Sequence, residues 1–438
     1  MRDAIFIALT GLLLLIAMAR PFVGVLVWSW ISFMNPHRLT WGASSHAPWA
    51  ALAFAATLVG CVLAREPRGF RPTAMMALLA VFAVAVTLTT LVGIGPPEPA
   101  WAKWDRTIKI LAGLLLTGAL LTERWRVHAL VWLIVISIGY FGIRGGLFTI
   151  LTGGAHRVLG PPDTIIEDRN HIAVALLFVI PLMNWLRMHS AHAAVRLGLA
   201  AAMVLTLFAA IGTQSRGALV ALVAVAGMLW LRTRGKIVSG IAIALSLAAV
   251  IGFMPQSWVD RMTTIEHFDE DASAMGRIRI WEAAWRIALA RPFAGGGFRA
   301  YYDQGVVDAF MPGVRARAAH SIYFEVIGEH GFAVFALWLG MIVLGALYTR
   351  RIIAAARGRP DLVWAADLAR MSQVSMVAYL VGGAFLSLAY WDVFWTLMVV
   401  LGATHAIVRA EARVPSGVRA APQPALLPWR RSHGTRPA

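Results

Sequence analysis

Residues 195–232 read VRLGLAAAMVLTLFAAIGTQSRGALVALVAVAGMLWLR. Two apolar blocks, 195–213 and 216–232, are parted by Gln214 and Ser215, and Arg216 opens the second block. Each is close to the roughly 20 residues that cross a bilayer core. Arg196 and Arg232 stand at the outer ends. The stretch therefore reads as a hairpin of membrane helices, with a tight polar turn on one face and basic ends on the other.

Working outward, apolar blocks recur near 3–34 (broken at Arg20-Pro21), 47–63, 74–93, 107–121, 126–141, 171–186, 236–254, 319–348, 368–390 and 392–409. Arg20-Pro21 either kinks one tilted helix or separates two short ones, so the total is twelve or thirteen spans. The expected fold is an all-α, polytopic membrane protein. Of the 438 residues 59% are hydrophobic and 14% charged, too few charges to clothe a soluble surface of this size. The opening Met1-Arg2-Asp3 and its apolar run lack a clear small-residue cleavage site, so the segment reads as a retained span. Cys61 is the one cysteine, which excludes an internal disulfide framework and a cysteine-rich metal site.

The net charge of +17 does not point to nucleic acid. Its excess sits in short loops: Arg65, Arg68 and Arg71; Arg124 and Arg126; Arg187 and Arg196; Arg232, Arg234 and Lys236; Arg350, Arg351, Arg357 and Arg359; then the tail. That alternation is the positive-inside pattern, and it places these loops and the C-terminus in the cytoplasm. Loops 35–46, 94–106, 142–170, 213–216 and 255–318 fall on the other side. The long loop 255–318 holds eight arginines and eight acids and is close to neutral. The Pro-, Arg- and Ala-rich tail, 410–438, is expected to be disordered.

Three polar features share the non-cytoplasmic face. Gln214-Ser215-Arg216-Gly217 begins a span, where a guanidinium at the edge of hydrocarbon either has an anionic partner or anchors at the interface. Residues 276–290 read as an amphipathic helix on the membrane surface, with Ile278, Trp281, Trp285, Ala288 and Leu289 at helical spacing. Glu282 is spaced to pair with Arg279 and Arg286. Arg277 lacks such an acid and lies in the first turn, where an anion is favoured, so it is the first choice for phosphate and Arg279 the second. His320 begins the next span and is suited to general-base work. Glu325, Glu329 and His330 make that span unusually polar at its start, as a half-buried site wall or an interfacial turn. Two guanidinium forks match a diphosphate, and an imidazole beside them can take a proton from an attacking hydroxyl. The acid-rich Glu266, His267, Asp269, Glu270 and Asp271 read as a solvated loop, and no metal-ligand spacing appears.

Thr213-Gln214-Ser215-Arg216-Gly217, Gly276-Arg277 through Trp281 to Pro292 and Gly295-Gly296-Gly297, and His320-Ser321 together resemble the O-antigen ligase/polymerase superfamily over roughly 200–345. The stretch Trp28-Ser29-Trp30-Ile31-Ser32-Phe33-Met34-Asn35-Pro36-His37-Arg38-Leu39-Thr40-Trp41-Gly42 resembles a narrower branch, the O-glycosylation ligases associated with exosortase A systems. The resemblance implies a GT-C-like glycosyltransferase of the bacterial inner membrane. Such an enzyme moves a glycan en bloc from undecaprenyl diphosphate to a protein, lipid or polysaccharide acceptor at the periplasmic face. It implies inversion and no metal, ATP or other cofactor. Arg216 and Arg277 would hold the diphosphate, with Arg279 less secure, and His320 would activate the acceptor hydroxyl or position the phosphates. It also implies an N-terminal membrane region at 1–195, a ligase-like region at 196–409 and a tail at 410–438. A polymerase shares the donor chemistry and differs in acceptor. A transporter or flippase of a lipid-linked substrate is the reading from another class, disfavoured because the distinctive polar residues gather at one face rather than mid-membrane.

Overall fold

The computed structural model describes residues 1–40, 42–63, 71–232, 235–256, 258 and 272–412. Trp41, Arg65, Arg68, Arg234, the acidic stretch 266–271 and the tail beyond Ala412 lie outside them. The described residues are helical, with no strand among them. The helices are α1 (Arg2–Ala19), α2 (Pro21–Met34), α3 (Trp49–Leu63), α4 (Ala74–Leu91), α5 (Pro97–Leu120), α6 (Arg124–Leu151), α7 (Arg169–Met188), α8 (Ala193–Gly212), α9 (Arg216–Arg232), α10 (Lys236–Phe253), α11 (Ala272–Ala290), α12 (Gln304–Phe310), α13 (Ile322–Ala355), α14 (Val363–Gly383) and α15 (Asp392–Ala412). Among the described residues, seven are long and apolar enough to cross a membrane: α1, α4, α6, α7, α8, α13 and α15. The chain is thus a polytopic membrane protein by length and composition, with fewer qualifying helices than the twelve or thirteen expected. α2 and α3 are apolar but shorter.

The first apolar block is two helices. Arg20 leaves helical geometry at φ −135°, ψ 89° and Pro21 opens α2, the position where proline's missing N–H costs nothing. The two run antiparallel. Asp3, at the start of α1, accepts from the Ser44 amide at 3.1 Å, beyond the end of α2. At the other end, Gly60 of α3 lies so close to the Ala17 carbonyl that no side chain fits.

The remaining links fall into two sets at opposite ends of the bundle. At one end Ile94 donates to the Gly296 carbonyl at 2.9 Å and Val158 to the Gly212 carbonyl at 3.0 Å. At the same end Arg38 meets Asp163 at 3.5 Å and the His320 amide meets Ser387 at 3.1 Å. At the other, His189 meets Asp367 at 3.2 Å and Arg232 donates to the Arg370 carbonyl at 2.7 Å.

Several helices start or stop beyond their expected limits; α11 opens at Ala272 rather than 276, so Arg277 lies in its second turn and not its first, and the largest differences are in α5 and α6. α5 begins at Pro97 rather than 107, because Pro97 at its first position and Glu98 in its first turn are favourable helix-start residues. α6 continues to Leu151, past 141. Gly142, Gly145 and Gly146 permit this, since they lie against Thr206, Ala209 and the Leu205 carbonyl of α8, a small-residue contact that membrane helices use for close approach.

α13 breaks at Gly331, with φ 76° and ψ −178°. A break frees carbonyls that lack an i+4 donor. Gly296 and Gly297 supply those donors, to the Gly328 and Glu329 carbonyls at 2.9 and 2.8 Å. The Gly295–Gly297 run is therefore a backbone splint on the kink, and only glycine admits so close an approach.

α11 buries Ile280, Ala283, Ala284 and Ile287 against α13 and the α12 region. The expected surface stripe is therefore split: of its members Ile278, Trp285 and Leu289 are exposed, whereas Ala288 is buried and Trp281 packs on the protein-facing cluster.

Candidate functional site

His320 lies two residues before α13 in the left-handed region, φ 47°. That conformation costs a non-glycine residue about 1–2 kcal/mol and persists only where the surroundings impose it. Three contacts do so. The His320 amide donates to Ser387 Oγ in the link between α14 and α15. Trp281 of α11 donates its indole N–H to the Ala319 carbonyl at 2.6 Å. The Trp281 ring also stacks on Phe324 at 5.1 Å. Trp281 thereby clamps the Gly276–Trp281 helix to the segment carrying His320.

Arg277 lies four residues before Trp281, on the same side of α11, and its charge acts on His320. The Arg317 guanidinium packs over Gly276. Burial, then the Arg277 guanidinium, with His171 and Arg317 adding, hold the His320 imidazole down to about 4. It is therefore neutral at physiological pH. Arg279, two residues on, is exposed. Glu282 pairs with Arg286, as its spacing suggests.

Arg216 opens α9 and is half-buried. The turn before it is held on every side. Gln214 has φ 54°, and its side-chain amide donates to the Gly154 carbonyl at 3.2 Å. Arg157 and Arg169 donate to its side-chain and backbone oxygens, both at 3.3 Å. Gly217 rests against Phe385, in the same link that holds His320. The structure thus brings Arg277 and His320 together. It sets Arg216 at the same end, tied to them through the start of α7 and the α14–α15 link.

A cavity of about 660 Å³ occupies this end, within the usual size of ligand pockets. None of Arg216, Arg277, Arg279 or His320 is among its lining residues; it is walled by Lys103, Arg106, Arg299, Tyr302, Asp168 and His171, among others. His320 stands at its edge. Ser387, which accepts the His320 amide, lines the cavity, as do His171 and Asp168, whose charges act on His320. One ring nitrogen of His171 contacts the Ile165 carbonyl at 2.9 Å. That contact makes it the donor nitrogen and leaves the other as an acceptor.

Beneath the cavity Lys103 meets Glu325 at 2.7 Å and Glu329 at 2.8 Å. Both carboxylates are buried, at 3% and 0% exposure. Lys103 Nζ also sits 4.9 Å from the Tyr390 ring centre. Glu329 accepts from the Tyr390 hydroxyl at 2.9 Å and the Arg299 amide at 2.9 Å. Glu325 accepts from the Ala389 amide at 3.1 Å. Four separate segments meet in this cluster of one ammonium and two carboxylates. Two buried anions share one cation, so the geometry of each bond decides whether the cluster is tolerated.

Sequence reasoning missed Lys103, Arg106, Asp168, His171 and Arg299. Lys103 and Arg106 gave one usable signal: cations three apart on the approach to a span. Lys103 and Glu325 are 222 residues apart, and no local pattern announces their meeting.

No curated protein matches the chain. Residues 1–191 match a family of unknown function, DUF5935. Residues 201–339 match the O-Antigen ligase family, a span that holds Arg216, Arg277 and His320 but not Lys103 or the α14–α15 link. The likeness to the O-antigen ligase superfamily thus rests on residues 201–339.

Proposed function

We propose that the chain is a glycan ligase of the bacterial inner membrane, in the branch associated with exosortase A systems. It moves a glycan from undecaprenyl diphosphate to an acceptor hydroxyl at the periplasmic face, with inversion and without metal or other cofactor. The observation that carries the reading is the neutral His320 beside Arg277, at the end of the bundle that also holds Arg216. The acceptor oxygen attacks the anomeric carbon and the bond from that carbon to the diphosphate breaks. The diphosphate leaves with the electron pair, and the hydroxyl proton passes to the His320 imidazole. Arg277 and Arg216 hold the departing charge. The Arg-rich links at the opposite end fit the cytoplasm. On this orientation α1 to α10 and α13 to α15 all cross, giving thirteen spans.

Product analysis tests the reading. Purified protein given the lipid-linked glycan should yield one glycan block on a non-donor acceptor and free undecaprenyl diphosphate. A ladder of repeat lengths on lipid would identify a polymerase instead.

Two further expectations follow from the arginines and the imidazole. Arg277→Ala and Arg216→Ala should each weaken donor binding by about 1.5–3 kcal/mol for each charged hydrogen bond lost. Titration of the purified variants with undecaprenyl diphosphate measures this, and wild-type affinity in either would remove that arginine from the donor site. The second concerns pH. A base must be neutral, and His320 stays neutral down to about 4. The free-enzyme profile, kcat/KM against pH, should therefore run flat below the ordinary histidine value of about 6.5 and fall only near 4. The kcat profile should fall at higher pH, because bound diphosphate favours the imidazolium. An acid limb near 6.5 in kcat/KM would contradict the burial of His320.

A further inference from the structure

A second chamber, of about 270 Å³, adjoins the main cavity. The two share Arg106, Ile110, Thr164, Ile165 and Trp391. None of these is among the residues that link the cavity to His320, namely Ser387, His171 and Asp168. The chamber therefore lies along the cavity from the reacting end, where the rest of a long substrate must go.

Its walls come largely from the Trp28–Arg38 stretch, which the transfer chemistry does not use. Trp28 and Trp391, at 6% and 2% exposure, line it. Trp28 lies flat against Gly113, where any side chain would strike its ring. Asp392 is buried, at 4% exposure. One of its carboxylate oxygens accepts from Ser32 Oγ and the other from the Val393 amide at 2.9 Å. A carboxylate offers about four lone-pair sites, so both oxygens can accept again. Asn35, at φ 50°, spends its side-chain amide on the Ser32 carbonyl at 2.9 Å. Its side-chain oxygen remains an acceptor. Arg38, Arg106 and Lys109 also line the chamber.

Indole surfaces with fixed carboxylate and amide acceptors and a few donors are what a sugar ring requires: apolar C–H faces and a rim of hydroxyls. We infer that this chamber is a carbohydrate subsite, which grips a sugar of the substrate glycan at a distance from the bond being broken. The inference rests on the glycosyl-transfer reading. It gives the region matched by the family of unknown function a task, because every named wall residue except Trp391 and Asp392 lies within 1–191.

The test uses the full-length protein in lipid nanodiscs with three probes: bare undecaprenyl diphosphate, the same lipid carrying the host's oligosaccharide repeat, and the free oligosaccharide. The variants are Asp392→Asn and Asn35→Gly, the latter because glycine keeps the left-handed backbone. Wild type should bind the glycosylated lipid about tenfold tighter than the bare lipid, a difference of about 1.4 kcal/mol. If the donor's glycan fills the chamber, both variants lose that preference and keep wild-type affinity for bare lipid, which also certifies their folding. If the acceptor's glycan fills it, the preference survives and binding of the free oligosaccharide falls instead. Unchanged binding of both glycan probes in both variants would overturn the inference. Failure of wild type to bind bare lipid would strike the donor reading alone, because the free oligosaccharide still reports on the chamber.

Discussion

Substituting His320 lowers the transfer rate by about 100- to 10,000-fold, the usual worth of a positioned general base, while donor binding survives. The design of the variant matters because His320 is left-handed. Alanine there adds strain of about 1–2 kcal/mol, whereas asparagine tolerates that region and has no side chain able to take the proton at neutral pH. His320→Asn should therefore keep the Ser387 contact made by its backbone amide and the Trp281 clamp on Ala319. His320→Ala should lose transfer equally and fold somewhat less well. Rates of glycan transfer, set beside donor titration, separate the chemical role from the structural one. Transfer by His320→Asn at the wild-type rate would remove the imidazole from the mechanism.

Replacing Lys103 by methionine should destabilise the protein by about 3–5 kcal/mol, because the change leaves buried carboxylates without their cation. Methionine keeps much of the side-chain volume, so the loss reports charge rather than a cavity. The triple variant Lys103→Met, Glu325→Gln, Glu329→Gln should recover much of the loss, since amides can keep several of the hydrogen bonds without charge. Thermal unfolding in detergent, read by intrinsic fluorescence, compares the three proteins. Wild-type melting of Lys103→Met would show that the cluster contributes little. The same variant should also slow transfer. Glu325 holds the Ala389 amide, Ala389 belongs to the α14–α15 link, and that link presents Ser387 to His320.

The bundle was legible because each apolar block is a local property. Arg20-Pro21 marked the first hairpin, and the alternation of arginine sorted the links into the two sets that the structure places at opposite ends. The candidate site was legible only in part. Gly276-Arg277 and His320 stand out as short motifs, and Trp281 joins the segments that carry them. The cavity was not, because its cations sit on a helix start that Lys103, Asp105 and Arg106 make look like a loop. Lys103 and Arg106 line the cavity, where a helix carries them without meeting hydrocarbon, and Asp105 pairs with Lys109. Glu325 and Glu329 showed as unusual polarity at a span start. Their partner lies on α5, and only the fold supplies it. α11 misled in a different way: Ile278, Trp281, Trp285, Ala288 and Leu289 read as one surface stripe, but Trp281 and Ala288 turn with Ile280 to Ile287 toward protein that only the fold supplies.

The most direct measurement is a cryo-EM structure of the protein with bound undecaprenyl diphosphate. The two phosphates should lie between the Arg277 and Arg216 guanidinium groups, beside the His320 ring and at the edge of the Lys103-lined cavity. Phosphate density at the opposite end of the bundle, or against α11 with His320 turned away from it, would contradict the account.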